Sequence, residues 1–275
     1  MLNTPPLTEL QTLALRLAAA AGEELLARQP GLSIDAVGVE TKSSASDPVS
    51  AADRASEKLI TDGLSAARPG DGLLGEEGTA RASETGLTWV IDPLDGTVNY
   101  LYGRLDWCVS IAVEDEAGAL VGVIHQPRAG RTWSAIRDQG ARRDDGGHED
   151  VALGPLREVA LEAALVSTGF SYLAERRAEQ ADHLRRVLPA VRDVRRGGSA
   201  ALDLCSVADG TADAYYEHVI QPWDIAAGAL IAREAGARTI GGPGTEFPHG
   251  ILAAAPALAA TLVEVIAPTT PRRSV

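Results

Sequence analysis

The chain has 275 residues, 45% of them apolar, with 28 glycines, 15 prolines and 4% aromatics, which suits a soluble enzyme of one large domain or two smaller ones around a cleft. Its 38 acidic against 25 basic residues leave a formal net charge of −13, which argues against nonspecific nucleic-acid binding and leaves acids to attract cations. Cys108 and Cys205 are the only cysteines, each in an apolar setting, so free buried thiols in a reducing compartment are expected. No basic segment leads into an apolar run at the N-terminus, and the most apolar stretch, 251–267, is interrupted by Pro256 and Glu264. Neither a signal peptide nor a membrane contact is expected, and the protein is placed in the cytoplasm.

In chain order, Thr4-Pro5-Pro6 opens a helix whose stripe of Leu10, Leu13, Ala14, Leu17, Ala21 and Leu25 runs to Arg28, before Pro30-Gly31. A strand is predicted over 37–42 and a second amphipathic helix over 50–67. Short β elements follow at 73–75, 88–91, 107–114, 119–126 and 132–137, the last three joined by hairpin turns at 115–118 and 127–130. Residues 142–150, RRDDGGHED, read as a polar surface loop and a domain seam. Beyond it β and α alternate: strand 164–167, helices 174–191 and 199–208, strand 212–217, helix 223–235, strands 238–240 and 251–254, and helix 257–266. This rhythm predicts two α/β lobes around a shared cleft, 1–150 and 151–275. The arginine pairs 176–177, 185–186 and 195–196 read as a solvated helix face, with anion binding as the alternative.

The chain is organised around 89–103, WVIDPLDGTVNYLYG. A buried strand ending at Ile91 would deliver Asp92 and Asp95 to a site at its tip, and Gly96 permits close approach of backbone to ligand. A short helix starting near Gly96 would turn the N–H groups of Gly96 and Thr97 toward an anion. Two carboxylates, a hydroxyl and an anion-binding backbone suggest metal-assisted phosphate chemistry. An EF-hand loop from Asp92 fails because its twelfth position is Gly103. An aspartate-nucleophile phosphatase fails because Pro93 stands where the first Asp of Asp-x-Asp belongs, and no Walker loop is present. Glu76, in Gly75-Glu76-Glu77-Gly78, can add a hard oxygen ligand suited to Mg²⁺. Asp224, in Pro222-Trp223-Asp224, is either a helix cap or a ligand, and Asp53 in the first turn of the second helix also satisfies its macrodipole.

Together these segments resemble the inositol monophosphatases. The likeness runs through Lys42-Ser43-Ser44, Asp47 and Asp53, Glu76-Glu77, Asp92-Pro-Leu-Asp95-Gly96-Thr97-x-Asn99-Tyr100, Gly198-Ser199-Ala200-Ala201, Ala214-Tyr215-Tyr216-Glu217 and Trp223-Asp224, from about residue 42 to 240, with Tyr100 in place of the usual Phe. The segment from Thr168 to Glu217 is most like the actinobacterial members. The resemblance implies a layered αβαβα sandwich of the sugar-phosphatase kind and two or three Mg²⁺ per subunit. It makes Glu76, Asp92, Asp95, Asp224 and the Leu94 carbonyl the metal ligands. Thr97 with Asp53, or Glu76, would activate water; Gly96 and Thr97 would hold phosphate; Ala200 and Glu217 would contact the polyol. It also implies a homodimer and sensitivity to Li⁺. The expected function is hydrolysis of myo-inositol monophosphate, with histidinol phosphate, fructose 1,6-bisphosphate and adenosine 3′,5′-bisphosphate as alternatives on the same scaffold. Two other readings are a serine hydrolase on Ser199, Asp224 and His249, and a regulatory binding protein. None of the five histidines has metal-site spacing.

Overall fold

The computed structural model describes residues 5–29, 51–147, 150–242 and 245–267, together with the backbone of two short strands at 40–41 and 48–49. Lys42, Ser43, Ser44 and Asp47 lie outside the described residues, as does most of the strand expected over 37–42.

Helix α1 (Leu7–Arg28) precedes the small ladder of β1 (Glu40–Thr41) and β2 (Pro48–Val49), and α2 (Ala51–Ala67) follows. Then come β3 (Gly72–Gly75), β4 (Ala80–Arg81), β5 (Thr88–Asp95), α3 (Thr97–Leu101), β6 (Cys108–Asp115), β7 (Gly118–Gln126), β8 (Arg131–Ile136), β9 (Ala141–Asp144) and β10 (Val151–Ala152). These strands build one eight-stranded sheet in the order β10-β9-β8-β7-β6-β5-β3-β4. The rest of the chain contributes β11 (Leu165–Thr168), α4 (Ala174–Val187), β12 (Asp193–Arg195), α5 (Ala200–Ala208), β13 (Ala214–His218), α6 (Pro222–Glu234), β14 (Arg238–Gly241), β15 (Gly250–Ala254) and α7 (Pro256–Ile266). Its mixed five-stranded sheet has the order β12-β11-β13-β15-β14.

Alternation along the strands sorts the apolar residues into separate cores. Trp89 and Ile91 of β5, with Val109, Ile111 and Val113 of β6, face α1 and α2; Val90, Cys108 and Ala112 face α5 and α6. In the second sheet Tyr215, Ile251 and Ala253 meet the opposite side of α5 and α6, while Ala214, Tyr216, Leu252 and Ala254 meet α7. The layers are therefore α1/α2, sheet, α5/α6, sheet, α4/α7, the αβαβα order expected. Both cysteines are free and buried in the second of these cores.

Close approach of the middle helices depends on missing side chains. A Cβ on Gly122 of β7 would stand 2.8 Å from the Ala227 carbonyl oxygen of α6, and one on Gly228 would stand 2.8 Å from Leu204 Cβ of α5. The buried phenol of Tyr100 donates to the Leu25 carbonyl at the end of α1 (2.9 Å), so this Tyr has a partner for the hydroxyl that a Phe would lack.

Four expectations need correction. Residues 142–150 are not all loop: Ala141–Asp144 pairs with β8 and Val151–Ala152 pairs in turn with β9. These edge strands bury little beyond Ala141 and carry the ion-paired Arg143, so they show no apolar period. The helix expected over 174–191 stops at Val187, before Pro189, which cannot donate to a helical carbonyl. Arg195 lies in strand β12, parallel to β11, and Arg196 follows it, so this pair is on no helix. Finally, β5 runs past Pro93 to Asp95; the register shifts between Asp92 and Asp95, and that bulge accommodates the proline.

Candidate active site

The bulge at the end of β5 aims the acidic residues. Within it, Asp92 Oδ1 accepts from the Leu94 N–H (3.0 Å), which tightens the turn around Pro93. Gly96 follows at φ +91°, where a Cβ would stand 2.8 Å from the Asp106 carbonyl oxygen, and α3 starts at Thr97. Thr97 Oγ1 lies 3.1 Å from both Asp53 Oδ1 and the Leu94 carbonyl oxygen, so its single proton serves two acceptors. Asp53 is fully buried in the first turn of α2 and reaches across to that hydroxyl.

The same face of α2 supplies two more polar anchors, three and four residues on. Ser56 Oγ donates to the Pro93 carbonyl (2.8 Å). Glu57 accepts from the N–H groups of Glu77 (2.8 Å) and Thr79 (3.2 Å), and so fixes the turn that carries Glu76. Neither was singled out from the sequence, although Asp53, Ser56 and Glu57 have the i, i+3, i+4 spacing of one helix face.

The second half of the chain closes the site from the other side. Asp95 Oδ2 accepts from Ser199 Oγ (2.6 Å) and from the Ala201 N–H (2.8 Å) at the start of α5. Asp224, at N3 of α6, accepts from the Gln221 N–H (2.9 Å), so it is a cap, and it also lines the cleft with Glu76, Asp92 and Asp95. Leu94, Gly96, Thr97, Ala200 and Glu217 line it too, and the enclosed volume is about 100 Å³. All the predicted site residues except Asp53 therefore meet in one cleft, and Asp53 touches it through Thr97. Asp203, Phe170 and Tyr172 were not predicted and line the same space, as does Arg196, whose pair was read as a solvated face with anion binding as the alternative.

Crowding shifts the acids. Burial, then the charges of Glu76, Asp95 and Asp224, push Asp92 well above the usual carboxylate range. Burial and Asp95 do the same to Asp224. Burial raises Asp95 to about 6, against the opposing hydrogen bonds of Ser199 and Ala201. Glu217 is raised to about 7 by burial and Asp203 to about 8 by burial and Glu217. Tyr215 Oη donates to Glu217 Oε2 (2.8 Å) and holds that carboxyl in place.

A family model described as the inositol monophosphatase family matches residues 6–270. The chain belongs to the inositol monophosphatase family. It is 44% identical over 238 residues to an inositol-1-monophosphatase of Mycobacterium leprae, covering 83% of this chain and 81% of that one. It is 39% identical over 204 residues to a protein of Xylella fastidiosa named Nus factor SuhB, covering 74% of this chain and 72% of that one. The crystal structure of the extragenic suppressor protein suhB from Bartonella henselae superposes with a TM-score of 0.86 at 32% identity, covering 95% of this chain and all of that one.

In this inositol monophosphatase family member, among the described residues, no three His, Cys, Asp or Glu side chains are already gathered closely enough to hold a metal ion. The donor set nevertheless suits a hard cation. Burial and the neighbouring charges of Glu76, Asp95 and Asp224 disfavour the ionised form of Asp92, and a cation among these carboxylates would relieve that cost. The serine-hydrolase reading fails on geometry. Ser199 gives its hydroxyl to Asp95, while His249 lines a separate cleft of about 1120 Å³ on the other flank of α6. That larger cleft contains none of the predicted site residues and meets the site only at Ile220.

Proposed function

We propose that this chain is a Mg²⁺-dependent phosphomonoesterase that hydrolyses myo-inositol monophosphate to inositol and phosphate. The observation that carries the reading is the convergence of Glu76, Asp92, Asp95 and Asp224 on one cleft beside Thr97 and Glu217. Those four carboxylates and the Leu94 carbonyl would hold two or three Mg²⁺. Bound there, the ions supply charge neutralisation for the phosphoryl oxygens and a lowered pKa for water.

The chain's own residues do the remaining work. The Thr97 hydroxyl gives its proton to Asp53 or to the Leu94 carbonyl and keeps its oxygen lone pairs to orient the attacking water; Thr97 with Asp53, or Glu76, would take the water's proton. Gly96 and Thr97 N–H groups face the phosphate. Glu217, steadied by Tyr215, accepts hydroxyl hydrogens of the polyol beside Ala200. We place the polyol-binding half and Asp224 on a C-terminal lobe, 151–275, and the other ligands on an N-terminal lobe, 1–150. We also infer a cytoplasmic homodimer acting on a small phosphomonoester, apart from nucleic acid and membrane, inhibited by Li⁺ at one of the metal sites.

Phosphate release from a panel of phosphomonoesters, with Mg²⁺ and with a chelator, tests the proposal. Turnover of inositol monophosphate that is abolished by chelation supports it. Preference for histidinol phosphate, fructose 1,6-bisphosphate or adenosine 3′,5′-bisphosphate would move the assignment to one of those substrates, and metal-independent turnover would end it.

A further inference from the structure

One buried amide behind the acidic cleft ties two of its walls together. Gln180 of α4 is 3% exposed. Its Oε1 accepts from the Ser171 N–H (2.8 Å), and its Nε2 donates to the His218 carbonyl (2.6 Å). The first bond reaches the segment between β11 and α4, where Gly169, Phe170 and Tyr172 line the cleft. The second reaches the last residue of β13, one position beyond Glu217. An amide has an acceptor at one end and donors at the other, so both of these partners are met by a single side chain.

The two walls meet closely. A Cβ on Gly169 would overlap Glu217 Oε2, so the Glu217 carboxyl packs on bare backbone. A small displacement of either wall therefore changes the space in front of that carboxyl. Arg177 Nη1 also donates to the carbonyls of Ser171 (3.0 Å) and Tyr172 (2.8 Å), but these bonds fasten the segment to α4 alone. Gln180 carries the link on to β13.

The chain just past that link is strained. Val219 sits at φ +61°, a conformation that a β-branched residue adopts only where its surroundings impose it. The peptide between His218 and Val219 is held at both ends: Gln180 takes its carbonyl, and its N–H donates to the His249 carbonyl (2.5 Å).

We infer that Gln180 is a positioning residue for the leaving group. It fixes the spacing between the wall at 169–172 and Glu217, and so lets the cleft tell a polyol ester from one whose leaving group has no hydroxyls to read. This inference rests on the phosphatase reading above, which puts the leaving group beside Glu217.

Gln180→Leu keeps most of the bulk and removes both bonds. The test measures kcat/KM on inositol monophosphate and on para-nitrophenyl phosphate. In Gln180→Leu the preference for the inositol ester should fall by about tenfold, carried by its KM, with a much smaller loss on the aryl ester. A second variant separates positioning from stability. Val219→Gly relieves the strained turn and should raise the melting temperature, alone and combined with Gln180→Leu. In the double variant the Ser171 N–H still lacks its acceptor, so the preference should stay low while the fold is stable. An unchanged preference in Gln180→Leu, equal losses on both esters, or a preference that returns with the melting temperature in the double variant would overturn the inference and leave the phosphatase reading intact. A wild type that hydrolyses neither ester would end both.

Discussion

Asp95 serves two purposes that a substitution series separates. One oxygen accepts from Ser199 and Ala201 and so joins the β5 bulge to α5; the carboxylate as a whole supplies negative charge to the cleft. Asp95→Asn keeps an acceptor for those donors and loses the charge, so turnover should nearly vanish while the metal-free melting temperature near pH 7 holds or rises, the buried charge being gone. Asp95→Ala strands two buried donors and should also destabilise the fold, by about 1–3 kcal/mol for each donor left unpaired. Near-normal turnover of Asp95→Asn at low Mg²⁺ would remove Asp95 from the metal site. Asp224→Asn is expected to weaken turnover less severely and to recover part of it as Mg²⁺ is raised. Glu217 is tested by substrate choice. Glu217→Gln should lose inositol phosphate turnover by about 1.5–3 kcal/mol while sparing a simple aryl phosphate, measured as kcat/KM on each. Equal losses on the two substrates would mean that Glu217 supports the site and does not read the polyol. Most of these side chains were legible because each sits in a short motif whose residue types chemistry restricts. Asp203 was not, since a buried acid on a helix carries no local signature, and Arg196 was read only as one arginine of a pair.

At the scale of elements, α2 and α6 are the parts that hold the site together, and each does so through a feature that periodicity alone hides. On α2, Glu57 is buried and accepts backbone N–H groups of the turn that bears Glu76. Glu57→Ala should cost about 1–3 kcal/mol for each N–H it abandons, and should raise the Mg²⁺ concentration needed for half-maximal turnover. Glu57→Gln, which still accepts one of those bonds, should fall between. An unchanged Mg²⁺ requirement in Glu57→Ala would show that the turn holds Glu76 without it. On α6, contact with β7 requires Gly122, because a Cβ there would stand 2.8 Å from the Ala227 carbonyl oxygen and 3.0 Å from its Cα. Backbone cannot swing aside, so Gly122→Ala should push α6 outward, cost about 1–3 kcal/mol and move Asp224 three residues before Ala227. Melting temperature and Mg²⁺ titration together check this. The helices and central strands were readable from apolar spacing, since each buries one continuous stripe or alternating face. The edge strands at 141–144 and 151–152 bury almost nothing, and the strand passing Pro93 depends on a bulge set by tertiary pairing. Their sequences therefore lacked the signal that placed the others.

For the whole molecule, the acids gathered between the two sheets couple folding to pH and to metal. An unfolded chain ionises its carboxyls near pH 4. In the fold, burial and mutual repulsion raise Asp92 and Asp224 well above that and Asp95 to about 6. The folded protein thus keeps protons that the unfolded chain has released. Its metal-free stability from these groups is greatest below about pH 4, declines as pH climbs through the folded values, and levels off above them. The shift on Asp95 alone corresponds to on the order of 3 kcal/mol. Cations binding the ionised cluster offset this loss, because they favour the folded state in proportion to their occupancy. Other carboxyls across a chain of net charge −13 also titrate over this range, so the absolute melting temperature mixes many groups. The difference between Mg²⁺-loaded and chelator-treated protein isolates the cluster. That difference should be small at pH 4 to 5, where protonated acids bind metal poorly, and should widen steadily toward pH 8. Calorimetry in matched buffers of constant ionic strength measures it directly. A gap that stays constant with pH would mean that Mg²⁺ binds elsewhere, and a gap that narrows as pH rises would contradict the linkage itself.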